Sequence, residues 1–270
     1  MKECTWFHLW GPQWLGLSQP FYRYYIIHPA FIAAGWRGCT MVLSDEEIKK
    51  QVVDEMFWDT RVDASKVLVR VDNGRVTLTG TVPSYIARTR ASSDAWNVSG
   101  VIWVENNIAV QPLPSVRIVG DEIIRQSVLN ALADDPDLDT TDIRVSVRDA
   151  IVTLEGSVDE FWKRSEAERI ACRARGVCDI ANKLAVVPTM NVADKAIAGD
   201  VRAAIERNSN VKIDDVTINV SDGVVTLSGS VPNWVARRAA VDAAEFTRGV
   251  VDVIDMLTIR PPEGMAGTVC

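Results

Sequence analysis

The chain has 270 residues, and its 36 acidic side chains outnumber its 29 basic ones, which gives a formal charge of −7 at neutral pH. This balance excludes attraction to nucleic acid or anionic lipid through bulk charge, so binding to either would require a local basic patch. No stretch of the sequence is long and apolar enough to form a helix that spans a bilayer.

Residues 1–43 differ in composition from the rest of the chain, with four of the nine tryptophans, both histidines and a single acidic residue. Three interpretations of this leader remain open. Translation starts at Met41, because MVLSDEEIKK is a natural helix start. The leader is an interfacial anchor, since Trp and Tyr favour the headgroup zone. Or it is a secretory signal, although Pro12 and Pro20 interrupt the apolar core that such a signal needs.

The first predicted helix follows Ser44 and is amphipathic. Its apolar residues Ile48, Val52 and Met56 recur in steps of four and therefore share one face. Ser44 and Glu47 fit a capping box, in which each side chain satisfies a free backbone donor of the other residue. The pattern predicts a helix with a defined start and one buried face.

An alternating pattern comes next. Every second residue from Val67 to Val71 is apolar, as are Val76 and Leu78, which predicts two half-buried strands. Asn73-Gly74 lies between them and tolerates the positive φ angles of a tight hairpin turn. The two strands are therefore predicted to be antiparallel neighbours.

Gly80 falls where the second strand should present a side chain inward, which usually marks a bend or a close backbone approach. We expect the following helix to make this approach, because Ala91 and Ala95 give it a stripe of small residues. After Gly100 a third strand alternates from Val104 to Val110. One unit is thus helix, strand, strand, helix, strand, with two helices on one face of a three-stranded sheet.

This unit occurs three times. GRVTLTG at 74–80 returns as AIVTLEG at 150–156 and as GVVTLSG at 223–229, and the surrounding blocks align without a gap. Two structural glycines recur in every copy: Gly80, Gly156 and Gly229 in the second strand, and Gly100, Gly176 and Gly249 before the third. The spacing from one strand glycine to the next is the repeat period. A period this long indicates duplicated domains, because the periods of solenoid repeats are shorter.

The predicted fold class is α+β, with three tandem α/β-sandwich domains joined by short linkers. The domains cover residues 44–112, 119–188 and 192–261, and residues 262–270 form a tail. A unit of this size can fold alone.

The pattern V-T-L-x-G-x-V, an alanine-rich helix, Gly-Val and V-x-N-x-[IL] resembles the BON domain family, named for bacterial osmotically inducible and nodulation proteins. The resemblance covers nearly all of Ser44 to Arg260. It implies the fold described above, association with phospholipid membranes, often in the periplasm under stress, and no catalysis. No clean export signal is visible, so a cytoplasmic location stays open.

Two positions depart from the family pattern. Asp255 stands where the other copies have Asn106 and Asn182, and Ala150 replaces a turn glycine.

Motifs for catalysis are absent from the sequence. It has no nucleophile elbow, phosphate loop or HExxH, and the repeats contain no histidine. The five cysteines form no CxxC pair, and Cys172 and Cys178 lack the further ligands that tetrahedral zinc needs. We predict a protein that is not an enzyme and holds no cofactor or metal.

One binding feature recurs at the start of each second helix. An aromatic residue is followed three positions later by an arginine, so the two side chains share a helix face. The aromatic residues are Tyr85, Phe161 and Trp234, the arginines are Arg88, Arg164 and Arg237, and Arg90, Lys163 and Arg238 are neighbouring cations.

Two interpretations compete for this face. In the first, the helix N-terminus and the arginine attract a lipid phosphate while the ring sits at the lipid interface. In the second, the ring fixes the helix start to the sheet and the arginine is solvated or pairs with a nearby acid. Three copies would strengthen a weak lipid site through avidity.

The sequence therefore predicts a non-enzymatic protein that attaches peripherally to anionic phospholipid membranes and does not bind nucleic acid. The lipid role follows from the resemblance, and the Arg–aromatic faces are its predicted means. The alternative is a scaffold whose helices or exposed strand edges contact other proteins or further copies of the chain.

Overall fold

The computed structural model of the protein describes residues 43–112 and 119–260. The leader before Leu43, with its three interpretations, and the tail at 262–270 lie outside the described residues. The described part confirms the predicted α+β class, because every repeat is a helix, two strands, a second helix and a third strand.

The element bounds are closely equivalent in the three repeats. Repeat 1 contains α1 (Asp45–Trp58), β1 (Val67–Asp72), β2 (Arg75–Val82), α2 (Tyr85–Asn97) and β3 (Trp103–Val110). Repeat 2 contains α3 (Asp121–Ala133), β4 (Ile143–Arg148), β5 (Ile151–Val158), α4 (Phe161–Ala171) and β6 (Asp179–Val186). Repeat 3 contains α5 (Asp194–Glu206), β7 (Val216–Ser221), β8 (Val224–Val231), α6 (Trp234–Glu245) and β9 (Asp252–Ile259).

Each sheet has its second strand in the centre. The first two strands are antiparallel, as predicted, and the third runs parallel to the second. Asn73 and Gly74 have φ angles of 49° and 73°, which confirms the tight hairpin turn. The second helix makes the crossover between the parallel strands, as a parallel pair requires.

The core of each repeat lies between its two helices and one face of its sheet. In repeat 1 the apolar stripe of α1 is buried, with Ile48 and Val52 fully shielded from solvent. Ala91 and Ala95 of α2 are also fully buried, which confirms the small-residue stripe. Because alanine is short, it allows the helix to pack closely, and larger residues such as Leu78 fill the remaining space.

The expectation that the second helix approaches the strand glycine is wrong. A Cβ atom on Gly80 would lie 2.0 Å from the carbonyl oxygen of Lys66, the residue that enters β1. This occurs because Gly80 pairs with Val67 at the end of the ladder, where the chain bends into the sheet. The equivalent distances in the other repeats are 1.8 Å between Gly156 and Asp142 and 2.1 Å between Gly229 and Asp215.

An aspartate column that the sequence reasoning missed ties each first helix to its hairpin. The carboxylate of Asp45 accepts hydrogen bonds from the turn N–H groups of Asn73 and Gly74, at 2.8 and 3.0 Å. Asp121 and Asp194 make the same pair of bonds in their own repeats. The signal was present in the sequence, since all three first helices begin with aspartate.

Candidate functional site

The second helices join the three repeats into a closed ring. The backbone N–H of Tyr85, where α2 begins, donates to the carbonyl of Val177 in repeat 2 at 3.3 Å. Trp162 of repeat 2 stacks on Phe246 of repeat 3, with ring centroids 6.3 Å apart. Repeat 3 returns to repeat 1 through Trp234, which begins α6 and contacts α2.

The predicted arginines lie at these junctions. Arg88 reaches across to Asp179 of repeat 2, with 3.6 Å between Nη1 and Oδ1, and Arg164 reaches Asp252 of repeat 3 at 3.4 Å. Each guanidinium also lies over the aromatic ring three residues before it, at 5.1 and 5.7 Å from the centroid. The structure thus brings each predicted Arg–aromatic pair together and places it against the next repeat.

The third junction lies between repeats 3 and 1. There a tryptophan stands where the other two junctions have an aspartate. Trp103 occupies the alignment column of Asp179 and Asp252, and the guanidinium of Arg237 lies 5.9 Å from its ring centroid. The same guanidinium lies 5.7 Å from the ring of Trp96. This junction therefore relies on cation–π contact and apolar burial instead of an ion pair between repeats.

The departure at Asp255 is explained by the same junction. In repeats 1 and 2 the asparagine of this column donates to the backbone carbonyl of the arginine, as Asn106 does to Arg88 at 2.9 Å. Asp255 has no N–H to donate and instead accepts a bond from Nε of Arg237 at 2.9 Å. The change fixes the arginine side chain that faces the tryptophans.

The flanking cations are mostly paired with acids. Lys163 lies 2.7 Å from Asp159, and Arg238 lies 2.7 Å from Asp242. Arg90 forms no ion pair within residues 43–112 and 119–260. The role of these residues in lipid binding stays a prediction, and their observed contacts are structural.

Two strongly exposed aromatic side chains lie at the end of α1. Phe57 and Trp58 are 70% and 78% exposed and contact each other edge to face, with centroids 5.4 Å apart. In the aligned columns repeat 2 has Ala133-Asp134 and repeat 3 has Glu206-Arg207. Since two repeats of the same chain fold without aromatic residues there, the fold does not require them. We call Phe57 and Trp58 the aromatic tip.

A pair of oppositely charged residues, Asp59 and Arg61, follows the aromatic tip. Asp59, which follows it, accepts hydrogen bonds at 2.7 Å from both Nε and Nη2 of Arg61. The hydrogen bonds from Arg61 lower the pKa of Asp59 to about 2, and the charge of Arg90 acts in the same direction. Asp59 therefore stays ionised at any physiological pH, and Arg90 of α2 contributes to this.

Asp94 of α2 is a buried acid in the same region. The residue is only 9% exposed, and its Oδ2 atom has no hydrogen-bond partner in the part of the chain that the structure describes. Burial raises the pKa of Asp94 to about 6, with a further rise from the charge of Asp59. The aligned residues are Ile170 and Ala243, so the acid is specific to repeat 1.

A cavity of about 600 Å³ lies where the three second helices meet. Tyr85, Trp162 and Phe246 contribute aromatic surface from each repeat in turn, and Glu245 is among the acids that line the cavity. Burial raises the pKa of Glu245 above its usual value. Across residues 43–112 and 119–260 no three His, Cys, Asp or Glu side chains are placed to share a metal ion.

None of the helices within residues 43–112 and 119–260 is long and apolar enough to cross a bilayer. The structure therefore defines a class of protein: one small α+β module repeated three times. Residues 44–112, 120–188 and 193–261 each match the BON domain family. The chain belongs to this family, which confirms the resemblance and its threefold repetition.

Two curated proteins are similar to the chain. Osmotically-inducible protein Y of Escherichia coli K12 is 31% identical over 139 residues, which span 49% of this chain and 69% of that protein. An uncharacterized protein in the gshII 5′ region of Anaplasma centrale is 30% identical over 123 residues, 44% of this chain and 82% of that protein.

Among solved structures, the chain is similar to CdsD, a structural protein of the type III secretion system of Chlamydia trachomatis. The match has 15% identity and covers 79% of this chain and 92% of that one, with a TM-score of 0.24. So low a score supports no argument about function or arrangement.

Proposed function

We propose that the protein is a non-enzymatic, envelope-stress type protein that attaches peripherally to anionic phospholipid surfaces through its aromatic tip. Family membership and the similarity to an osmotically inducible protein support the stress role. The exposure of Phe57 and Trp58, at positions where repeats 2 and 3 carry small or charged residues, is the observation that carries the membrane proposal.

The chemistry of the tip suits a lipid interface. Trp is enriched at headgroup level in membrane proteins, because its ring is apolar while its N–H can stay hydrated. Val53, one turn earlier on the same helix face, is 43% exposed and extends the apolar surface. Burying one such large side chain contributes about 2 kcal/mol, so two or three of them give weak and reversible attachment.

In this proposal charge contributes less to membrane binding than apolar contact does. Five of the six predicted cations already face carboxylates, and three of these pairs join or brace repeat junctions. In this proposal Arg90 is the predicted cation that meets the headgroups, since it alone of the six has no ion pair within residues 43–112 and 119–260. In this proposal the other predicted residues hold the three repeats together. They affect membrane binding only through that structural role.

Vesicle co-sedimentation tests the proposal. The double variant Phe57→Ala with Trp58→Asp copies the sequence of repeat 2, so it should fold normally. We expect it to bind vesicles of phosphatidylcholine and phosphatidylglycerol at least about tenfold more weakly than the native chain. Ile123→Ser is the matched control, because Ile123 is 65% exposed on the equivalent helix of repeat 2.

Two results would contradict the proposal. One is native protein that stays in the supernatant with phosphatidylglycerol present. The other is a tip variant that sediments as well as Ile123→Ser. Binding to pure phosphatidylcholine vesicles gives the contribution of apolar contact alone. The difference from vesicles with phosphatidylglycerol is the contribution of charge, and this difference should disappear as salt is raised.

A second candidate function is a scaffold that assembles with further copies of the chain. The observation that favours it is the exposed side of β9, an edge strand on which Ile254 and Met256 are 44% and 62% exposed. Edge strands with apolar side chains pair readily with other strands. Light scattering without lipid should then show assembly that rises with protein concentration and is lost in Met256→Lys.

A further inference from the structure

We propose that Asp94 makes attachment to anionic membranes pH-dependent, so that loss of its negative charge in mildly acid solution strengthens binding by the aromatic tip. This inference rests on the proposed function above and concerns the regulation of the same surface. It begins from a buried carboxylate that the fold itself does not need.

The site of Asp94 is unfavourable for a charge. The residue is more than nine-tenths buried, and one carboxylate oxygen has no hydrogen-bond partner within the described ranges. A buried charge without a partner is strongly disfavoured, whereas the neutral acid loses far less on burial. Ile170 and Ala243 in the aligned columns show that the same position accepts an apolar side chain.

Four charged groups act on the pKa of Asp94, and they come from both helices of repeat 1 and from the turn after α1. Glu55 and Asp59 are acidic, while Arg61 and Arg90 are basic. Arg61 is committed to Asp59 by two hydrogen bonds and leaves Asp94 without an ion pair. Ionised Asp94 adds one negative charge to this group, and neutral Asp94 removes it.

The charge on Asp94 matters because this group of charges lies close to Phe57 and Trp58, the residues proposed to contact the membrane. Asp59 directly follows Trp58, and Asp59 and Asp94 interact through their charges. At physiological ionic strength such interactions extend over roughly 8 Å. A tip held against an anionic surface therefore places the extra negative charge of Asp94 in a repulsive potential.

Linkage fixes the direction of the effect. An anionic surface raises the proton affinity of a nearby carboxylate, and by reciprocity the bound proton raises the affinity for the surface by the same factor. One charge near an anionic leaflet is worth about 1 kcal/mol, which corresponds to about a fivefold change in affinity. The transition should be centred near pH 6, where Asp94 titrates.

The test measures binding of the full chain to vesicles of phosphatidylcholine and phosphatidylglycerol at about pH 5 and about pH 7.5. The native chain should bind about fivefold more tightly at the lower pH. Asp94→Asn keeps the shape of the side chain but cannot ionise, so it should bind almost equally at both. Asp94→Ala copies repeat 3 and serves as a second variant where Asp94→Asn folds poorly.

Asp54→Asn is the matched control. Asp54 is an exposed acid on α1, so its removal should strengthen binding to a similar degree at both pH values and preserve the pH dependence. Equal pH dependence in the native chain and in both Asp94 variants would overturn this inference alone. Absence of binding at both pH values would overturn the proposed function, and with it this inference.

Discussion

The indole rings of Trp96 and Trp234 stack with their centroids 4.3 Å apart and their planes 12° from parallel. Trp96 lies near the end of α2, and Trp234 is the first residue of α6, so this contact joins the last repeat to the first. Arg237 lies over the ring of Trp234 as well, at 5.7 Å. The stack therefore closes the ring at a junction without the Arg–Asp pair of the other two.

Trp234→Ala should open this junction. Trp234 is half-buried, so its truncation should lower the free energy of unfolding by about 1–2 kcal/mol, and it also removes the partner of Trp96. We expect a larger radius of gyration in small-angle scattering and a lower midpoint in urea. Trp58→Ala is the control, since Trp58 is 78% exposed and its loss should change stability by less than about 0.5 kcal/mol. Equal scattering curves for the two variants would show that the Trp96–Trp234 stack does not keep the three repeats together.

Asp94 should make the stability of the lipid-free protein depend on pH. Its folded-state pKa of about 6 lies above the value of 3.8 for the free side chain, so the native state binds the proton more tightly. The stabilisation by that proton is complete below 3.8 and is lost as pH rises through 6.

Urea unfolding at several pH values measures this effect. Asp94 should contribute a loss of about 2 kcal/mol between about pH 4.5 and pH 7.5, which Asp94→Ala should remove, while the raised pKa of Glu245 adds a loss of the same sign in both proteins. Asp59 does not obscure the window, because its lowered pKa of about 2 places its own contribution at more acid pH. A native chain whose stability is constant across the window would contradict the burial argument.

Gly156→Ala should strongly destabilise repeat 2. The new Cβ atom would lie 1.8 Å from the carbonyl oxygen of Asp142, which is backbone and cannot rotate away, and φ at this glycine is +122°. We expect a loss of about 3 kcal/mol or more, measured by thermal or urea unfolding.

Gly199→Ala provides the opposite control for the same substitution. Gly199 lies inside α5 with nothing within 4 Å of the added atom. Alanine there should stabilise by about 0.5–1 kcal/mol, because it restricts the unfolded chain and favours the helix. Similar effects of the two substitutions would mean that the contact with Asp142 is not the reason for the glycine.

Ala150→Gly should stabilise the second hairpin turn. Ala150 adopts φ of 61°, a left-handed conformation that costs a residue with a Cβ atom about 1 kcal/mol. We expect a gain of up to about 1 kcal/mol in the free energy of unfolding. The reverse change, Gly74→Ala, should destabilise repeat 1 more than this, since its Cβ atom would lie 2.6 Å from the carbonyl oxygen of Gly100. A loss of stability in Ala150→Gly would contradict the strain argument.

Local chemistry made most of the fold predictable. The Ser44–Glu47 capping box is present, with the Glu47 carboxylate 2.8 Å from the Ser44 backbone N–H. The Asn73-Gly74 turn and the alternating strands are also as predicted, because residues close in sequence determine them. The partner of Gly80 was predicted wrongly, since a strand glycine indicates a close approach without identifying the segment that makes it.

The junctions between repeats and the aromatic tip were not predicted from the sequence. Arg88 faces Asp179 in the next repeat, and no periodicity within one repeat predicts a contact between domains. The tip had a signal that was not used. Phe57 and Trp58 differ from the aligned residues of both other repeats, and a difference within a duplicated pattern indicates a role beyond folding. Asp94 could have been found in the same way.

The closed ring has a consequence for how the chain evolved. A ring built from three separate copies of such a module would depend on concentration, and its three members would be identical. Fusion in one polypeptide removes both constraints. Two of the three junctions keep an Arg–Asp pair, and the first module is free to carry aromatic residues and a buried acid that a symmetric trimer would have to display three times.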